Sequence, residues 1–427
     1  MRRNDAVITG IGIVSALGLG KRENWANLCA GRSGVAAVRG FDASALPVQI
    51  ASQVPDAFDD HLRRHFPPEV ASDASRLSQL CLAASRMAIE DAGLDLARED
   101  RERIGVVIGN GGAGLKVLDD ELAKALAQET DAHPARLGQW EFDRHAMLNV
   151  MGSGCTAQVA TFHGLEGPSF TIGVACASGA AAVCAADEML QLGGADLVLV
   201  GGADALVSPF TLLGFAKLVT LSERNDRPEK ASRPFDRERD GFVLGEAAGM
   251  MVLETAAHAR RRGAEVYARV LGHAITSEAF NITAPAEGGV GMARTMMEAM
   301  SEARVAPDQV DYVSAHGTST TLNDLRETQG IKRAFGDHAR SLWVSSQKSM
   351  MGHTIGAAGA IETAVTALTI KEGIVTPTIN HEVPDPECDL DVVPNVARER
   401  RVRIALTNSF GFGGHNTSIV LGAVGGR

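Results

Sequence analysis

Ser169–Leu190 reads SFTIGVACASGAAAVCAADEML: an apolar run, a turn of small residues, then an Ala-rich helix. Ser341–Leu368, SLWVSSQKSMMGHTIGAAGAIETAVTAL, repeats that plan in the second part of the chain. A looser echo links Val7–Val14 (VITGIGIV) with Val266–Ile275 (VYARVLGHAI). Short apolar runs that alternate with helical segments predict an α/β protein. The echo predicts two similar α/β halves joined near residues 255–265, with domains at 1–258 and 259–427.

Working outward, ten runs read as strands: Val7–Thr9, Ile104–Ile108, Ser169–Ala175, Asp196–Val200, Gly249–Leu253, Val266–Leu271, Val310–Ser314, Leu342–Ser345, Ile404–Thr407 and Thr417–Leu421. Between them lie amphipathic helices; Leu77, Leu80, Cys81, Ala84 and Ala88 recur at helical spacing on one face. The chain has 427 residues, 45% hydrophobic and 22% charged, enough for a large core. Its net charge of −11 argues against nucleic-acid binding. The six cysteines (Cys29, Cys81, Cys155, Cys176, Cys184, Cys388) form no CxxC pair, so neither a zinc site nor a disulfide framework is expected. No secretory leader or run long enough to span a membrane is read, which points to a cytoplasmic protein with reduced thiols.

Cys176 follows a strand and opens an Ala/Gly-rich helix. The positive end of that helix is expected to stabilise the thiolate and lower its pKa. A buried structural cysteine is the competing reading. His316 lies in SAHGTST at a strand end, where α/β folds place functional groups. His353 stands five residues after Lys348, ahead of a helix that contains Glu362. Singly, each of these fits a structural role as well. The glycine-rich NSFGFGGHN, around Phe410 and Phe412, offers backbone N–H groups of the kind an oxyanion hole needs.

Together these groups fit one reaction. A thiol takes an acyl group from a thioester; a malonyl thioester loses CO₂; the enolate then attacks the held acyl group. Two neutral imidazoles could serve the enolate oxygen, and backbone N–H groups the second oxyanion.

At this point VITGIGIVSALG, ACASGAAA, SRPFDRERDGFVLGEAAGMMVLE, SAHGTST, SSQKSMMGHTIGAAGAIE, CDLDVVPN and NSFGFGGHN carry a resemblance over nearly the whole chain. The sequence resembles the elongating β-ketoacyl-acyl-carrier-protein synthases of the thiolase superfamily, closest to the bacterial type II enzymes. The resemblance implies a duplicated fold of two five-stranded mixed sheets layered with helices, no cofactor and no metal. It implies Cys176 as the acylated nucleophile, His316 and His353 as the malonyl-binding pair, Lys348 as the lysine that organises the site, and Glu362 as its support. The N–H groups of Cys176 and Phe412 would form the oxyanion hole, with Phe412 as gate. Gly112, Phe142 and Phe410 would line the acyl pocket. The implied partners are acyl- and malonyl-loaded acyl carrier protein and a second copy, or a chain-length-factor-like subunit.

Departures from the family pattern carry their own expectations. Gly112 stands where bulky Ile is usual and is expected to deepen the pocket. The segment Trp140–Leu148, which lines the partner's pocket in the family, carries Asp143 and Arg144. The docking helix, PPEVASDASRL, has Asp73 and only Arg76, leaving Arg136 and Lys217 as possible remnants of a basic patch. SAHGTST continues TLND in place of the usual PAGD. These changes point to a specialised type II polyketide or polyene setting. A thiolase would need a second catalytic cysteine in a CxG motif, and an initiating synthase would carry Asn at 353. A non-catalytic partner subunit would lack Cys176, and a papain-like hydrolase would leave Lys348 and one histidine without roles.

Overall fold

The computed structural model describes residues 5–128 and 142–425. All ten apolar runs are strands: β1 Ala6–Ser15, β2 Ile104–Gly109, β3 Ser169–Ile172, β4 Leu197–Asp204, β5 Ala247–Thr255, β6 Ala268–Ser277, β7 Tyr312–Ser314, β8 Trp343–Ser345, β9 Ile404–Gly411 and β10 His415–Gly422. β3 stops short of the expected Ala175, because Ala175 takes a left-handed φ of 50° that no strand can hold.

Within the first five strands the order is β3-β2-β4-β5-β1, and within the second five it is β8-β7-β9-β10-β6. Both read third, second, fourth, fifth, first. In each set the three outer strands are parallel and the remaining pairings antiparallel. The two sets meet where Val7 and Ile8 of β1 pair with Arg269 and Ala268 of β6. Every residue of β1, β4 and β5 is buried, the pattern of strands covered on both faces.

Six helices supply the layers: α1 Arg76–Asp91, α2 Gly154–His163, α3 Ser178–Gln191, α4 Val290–Ala303, α5 Thr321–Phe335 and α6 Ala358–Glu372. The first, α1, lies on β1 and β5 and buries Leu77, Leu80, Cys81, Ala84 and Ala88; its N-cap Ser75 accepts a hydrogen bond from the Ser78 N–H. On the other outer face α4 covers β6 and β10. Helices α3 and α6 form the middle layer, and all of Ala358–Ile370 is buried. A helix enclosed on every side needs no polar face, which explains why Glu362 is the one charged residue from Ala358 to Ile370. Among the described residues no helix is long and apolar enough to cross a membrane.

The middle helices touch at paired glycines. A methyl on Gly179 would sit 2.6 Å from the Gly356 oxygen and 2.8 Å from the Ala360 nitrogen; one on Gly359 would sit 2.8 Å from the Ala180 nitrogen. The crossing therefore admits no side chain at either position. Gly179→Ala and Gly359→Ala are each expected to lower stability by about 1–3 kcal/mol, the usual cost of overpacking. Denaturant unfolding of the two variants checks this; wild-type midpoints would contradict the tight crossing.

Candidate active site

The turn Ala175–Ala177 carries Cys176 between β3 and α3, two residues ahead of the first helical residue, Ser178. Its strained Ala175 is held by Ser178, whose hydroxyl accepts from the Val174 N–H at 2.9 Å and donates to the Ala175 carbonyl at 2.6 Å. The backbone N–H groups of Cys176 and Phe412 both favour the thiolate form of Cys176. Gly411 makes this possible: a methyl there would lie 3.3 Å from the Cys176 nitrogen. Gly413 and Gly414 then turn the chain with φ of 83° and 72°.

His316 and His353 come from the second half and meet edge to face, with ring centroids 5.3 Å apart. The ligating atoms of Cys176, His316 and His353 all lie within 4.8 Å of one another. Behind His316 the ammonium of Lys348 lies 3.3 Å from Nδ1 and pairs with the Glu362 carboxylate. Lys348 and Glu362 are each almost fully buried. An ammonium can only donate, so His316 Nδ1 is the acceptor and its proton sits on Nε2. His353 Nδ1 likewise accepts from the Ile355 N–H at 3.3 Å, which places its proton on Nε2, a buried atom with no hydrogen-bond partner among the described residues. Burial first, and Lys348 second, hold both imidazoles well below the ordinary histidine value. They are neutral at pH 7, each with one N–H to give.

Sulfur and two imidazoles at this spacing are also a possible metal-ligand set. Here the Lys348 ammonium stands against one of those rings and opposes a second cation in the same space.

The expected lowering of the Cys176 pKa is overturned. Burial pushes the thiol up to about 11, outweighing Lys348 and the two N–H groups, and the Asp204 carboxylate acts in the same direction as burial. Burial also lifts Glu362 to about 7 despite its ammonium partner.

Two further carboxylates, not singled out from the sequence, shape the site. Glu327 on α5 accepts from the N–H groups of His316 at 2.8 Å and Gly317 at 2.7 Å. Asp204, at the end of β4, accepts from Gly111 at 2.8 Å, Gly112 at 3.1 Å and Gly356 at 2.6 Å. An acid at the last position of the apolar run LVLVGGAD was the available signal for Asp204.

A cleft of about 280 Å³ opens onto Cys176, His316, His353, Phe410 and Phe412. Leu218, Val219 and Leu322 stand at its exposed rim. Gly112 and Phe142 are not brought there. The space above Gly112 is filled by the buried side chain of Leu206, so the missing side chain does not deepen the cleft. Phe142 lies on the surface, 44% exposed, away from the cleft of its own chain.

The charged departures are coupled to each other. Asp73 lies 3.7 Å from the Arg144 guanidinium and 3.8 Å from His145. Asp143 accepts from the His145 N–H at 2.6 Å. Arg76 pairs with Asp59 and Glu246 and stacks on Phe58, so it is not a free docking cation. Lys217 is exposed at the end of a short helix; Arg136, Trp140 and Glu141 lie outside the described residues.

Residues 3–259 match the beta-ketoacyl synthase N-terminal domain family and residues 267–382 its C-terminal domain family. The chain is 40% identical to 3-oxoacyl-[acyl-carrier-protein] synthase 2 of Coxiella burnetii, over 99% of this chain and 100% of that one. It is 41% identical to the protein of the same name from Synechocystis, over 98% of each. Among solved structures it resembles a type II polyketide acyl-carrier protein in complex with its ketosynthase bound to the hexaketide (TM-score 0.90, 33% identity, 99% of this chain and 100% of that one). It also resembles the ishigamide ketosynthase/chain length factor (TM-score 0.89, 34% identity, the same coverage).

Lys348 favours the thiolate of Cys176, so removing its charge raises the thiol's pKa further. Lys348→Met is therefore expected to slow iodoacetamide alkylation of Cys176 at pH 8, roughly tenfold for each unit of added pKa, because the thiolate is the nucleophile. Equal rates in wild type and variant would show that the cation does not reach the sulfur.

Proposed function

The chain belongs to the beta-ketoacyl synthase family, and we propose that Cys176, His316, His353 and Lys348 carry its decarboxylative condensation. It is a 3-oxoacyl-[acyl-carrier-protein] synthase, an acyltransferase that lengthens an acyl chain by two carbons. The observation that supports this assignment of roles is the pair of neutral imidazoles, both protonated on Nε2, beside a thiol whose thiolate form two backbone N–H groups favour.

In the first step the Cys176 sulfur attacks the carrier-bound thioester. The tetrahedral oxyanion is received by the N–H groups of Cys176 and Phe412. The carrier sulfur leaves as its thiol, taking the proton that Cys176 gives up, and a new thioester remains. In the second step a malonyl thioester places its carbonyl oxygen between the two Nε2–H groups. The C–C bond to the carboxylate breaks, CO₂ departs, and the electron pair becomes an enolate held by those donors. The enolate carbon attacks the acyl carbonyl, the C–S bond breaks, and the Cys176 sulfur leaves as thiolate and takes a proton from solvent. Neutral imidazoles suit this role because they stabilise negative charge by donating hydrogen bonds from Nε2, and they stay uncharged at working pH. Lys348, anchored by Glu362, supplies the fixed positive charge behind them.

The partner we propose is acyl carrier protein, loaded with acyl or malonyl groups. Met147, Leu148 and Met151 stand exposed as an apolar patch beside Phe142, which supports cover by a second subunit: another copy or a chain-length-factor-like chain. Fatty-acid elongation and type II polyketide elongation share this chemistry. Asp73 and its Arg144 link, in place of a basic docking helix, favour a carrier recognised differently from that of the bacterial fatty-acid enzymes.

Incubation with acyl- and malonyl-carrier proteins, followed by intact mass, tests the assignment. Wild type is expected to gain an acyl adduct and release product two carbons longer; Cys176→Ala gains no adduct. His353→Gln should still acylate but decarboxylate malonyl thioester about 10²–10³-fold more slowly, the usual loss for one oxyanion donor. A wild-type enzyme that never acquires an adduct would leave the non-catalytic partner as the better account.

A further inference from the structure

The two halves build the same helix-opening turn twice, and only one copy carries the nucleophile. Ala175–Ala177 precedes α3, and Ile355–Ala357 precedes α6. Ala175 and Ile355 share the same left-handed φ, 50° and 48°, and the crossing glycines Gly179 and Gly359 lie at matching positions. Gly356 is therefore the counterpart of Cys176. A side chain there is excluded, since a methyl would lie 2.6 Å from Asp204 Oδ2.

The strands that face these turns correspond as well. β4 and β9 are each the fourth of their set, both eight residues long, ending at Asp204 and Gly411. Gly411 has no side chain and leaves the Cys176 N–H open toward the substrate. Asp204 has one, and its carboxylate takes the Gly356 N–H at 2.6 Å. Where the first copy leaves the Cys176 N–H uncovered by any side chain at Gly411, the second sets the carboxyl side chain of Asp204 against the matching N–H of Gly356. The same carboxylate reaches back to Gly111 and Gly112 on the loop after β2. It is buried and accepts three amide donors; burial raises its pKa to about 7 against those donors, and among the described residues no cation pairs with it.

We propose that Asp204 is a positioning residue for condensation: its carboxylate plugs the second, non-catalytic copy of the anion hole and thereby fixes the turn that carries His353. The link is short. Asp204 holds Gly356, and the N–H of the adjacent Ile355 sets the orientation and tautomer of His353 through Nδ1. Without the carboxylate three buried amides lose their acceptor, and the left-handed Ile355 loses its tether. This inference rests on the condensing role of His353 proposed above.

Asp204→Ala, made in the full-length protein, should leave a vacancy of one carboxylate that formate can enter. The expected loss in condensation rate is about 10²-fold, the scale of a small misplacement at a reacting centre. Sodium formate should restore the rate severalfold and raise the variant's thermal midpoint, compared with sodium chloride at equal ionic strength. Asp204→Asn keeps the volume and presents a donor to the amides; it should lose rate without formate rescue. An Ala variant at wild-type rate overturns the proposal. So does a midpoint raised by formate with no return of rate, because the carboxylate is then structural only. Failure of wild type to condense any carrier-bound substrate would sink the functional reading instead, while the formate-dependent midpoint still reports on the plugged hole.

Discussion

The contact between α3 and α6 at Gly179 and Gly359 is the constraint on which the site depends. Two helix N-termini from different halves can deliver Cys176 and the His353 turn to one cleft only if their backbones nearly touch. Any side chain at the crossing would push them apart by more than a hydrogen bond tolerates. Burial of α6 from Ala358 to Ile370 follows from the same arrangement, because a helix trapped between two sheets has no solvent face along that length.

Electrostatics is the second layer. One buried cation, Lys348, is set among groups that burial has made reluctant to carry charge: neutral His316 and His353, and Glu362 lifted to about 7. An uncompensated buried ammonium would be costly, and Glu362 offsets it. The pair is stable because the carboxylate is within contact, and the imidazoles stay neutral because the ammonium is near. Glu327 and Asp204 act differently, gripping backbone amides: Asp204 holds three, and Glu327 holds two together with the side-chain amide of Asn408. Each makes a strand-end loop rigid just where a functional residue leaves it.

The sequence was legible where local patterns carry information. The ten strands along the main path of the large sheet are readable, most of them as uninterrupted buried apolar runs, whereas five short strands of two or three residues carry too little pattern to be read. Cys176, His316, His353, Lys348 and Glu362 were legible through motifs, and the structure brings them together. What could not be read depended on non-local facts. The Cys176 pKa turns on burial by the second half, which no local helix-dipole argument contains. The effect of Gly112 turned on Leu206, a neighbour from another strand end. Asp73 and Arg144 looked like separate anomalies until the fold set them face to face. Asp204 was passed over because an acid that bonds only to backbone amides leaves no partner in the sequence to match.

The division of the site between halves also has a meaning in time. During synthesis the segment with Cys176 leaves the ribosome first, whereas His316, Lys348, His353 and Phe412 follow more than a hundred residues later. Until those arrive the sulfur has neither its cation nor the second amide of its oxyanion hole, and no imidazole to hold an enolate. A nascent or prematurely ended chain therefore carries an ordinary thiol. The chemistry switches on only once Phe412 and the strand pair that carries it have joined the half that holds Cys176.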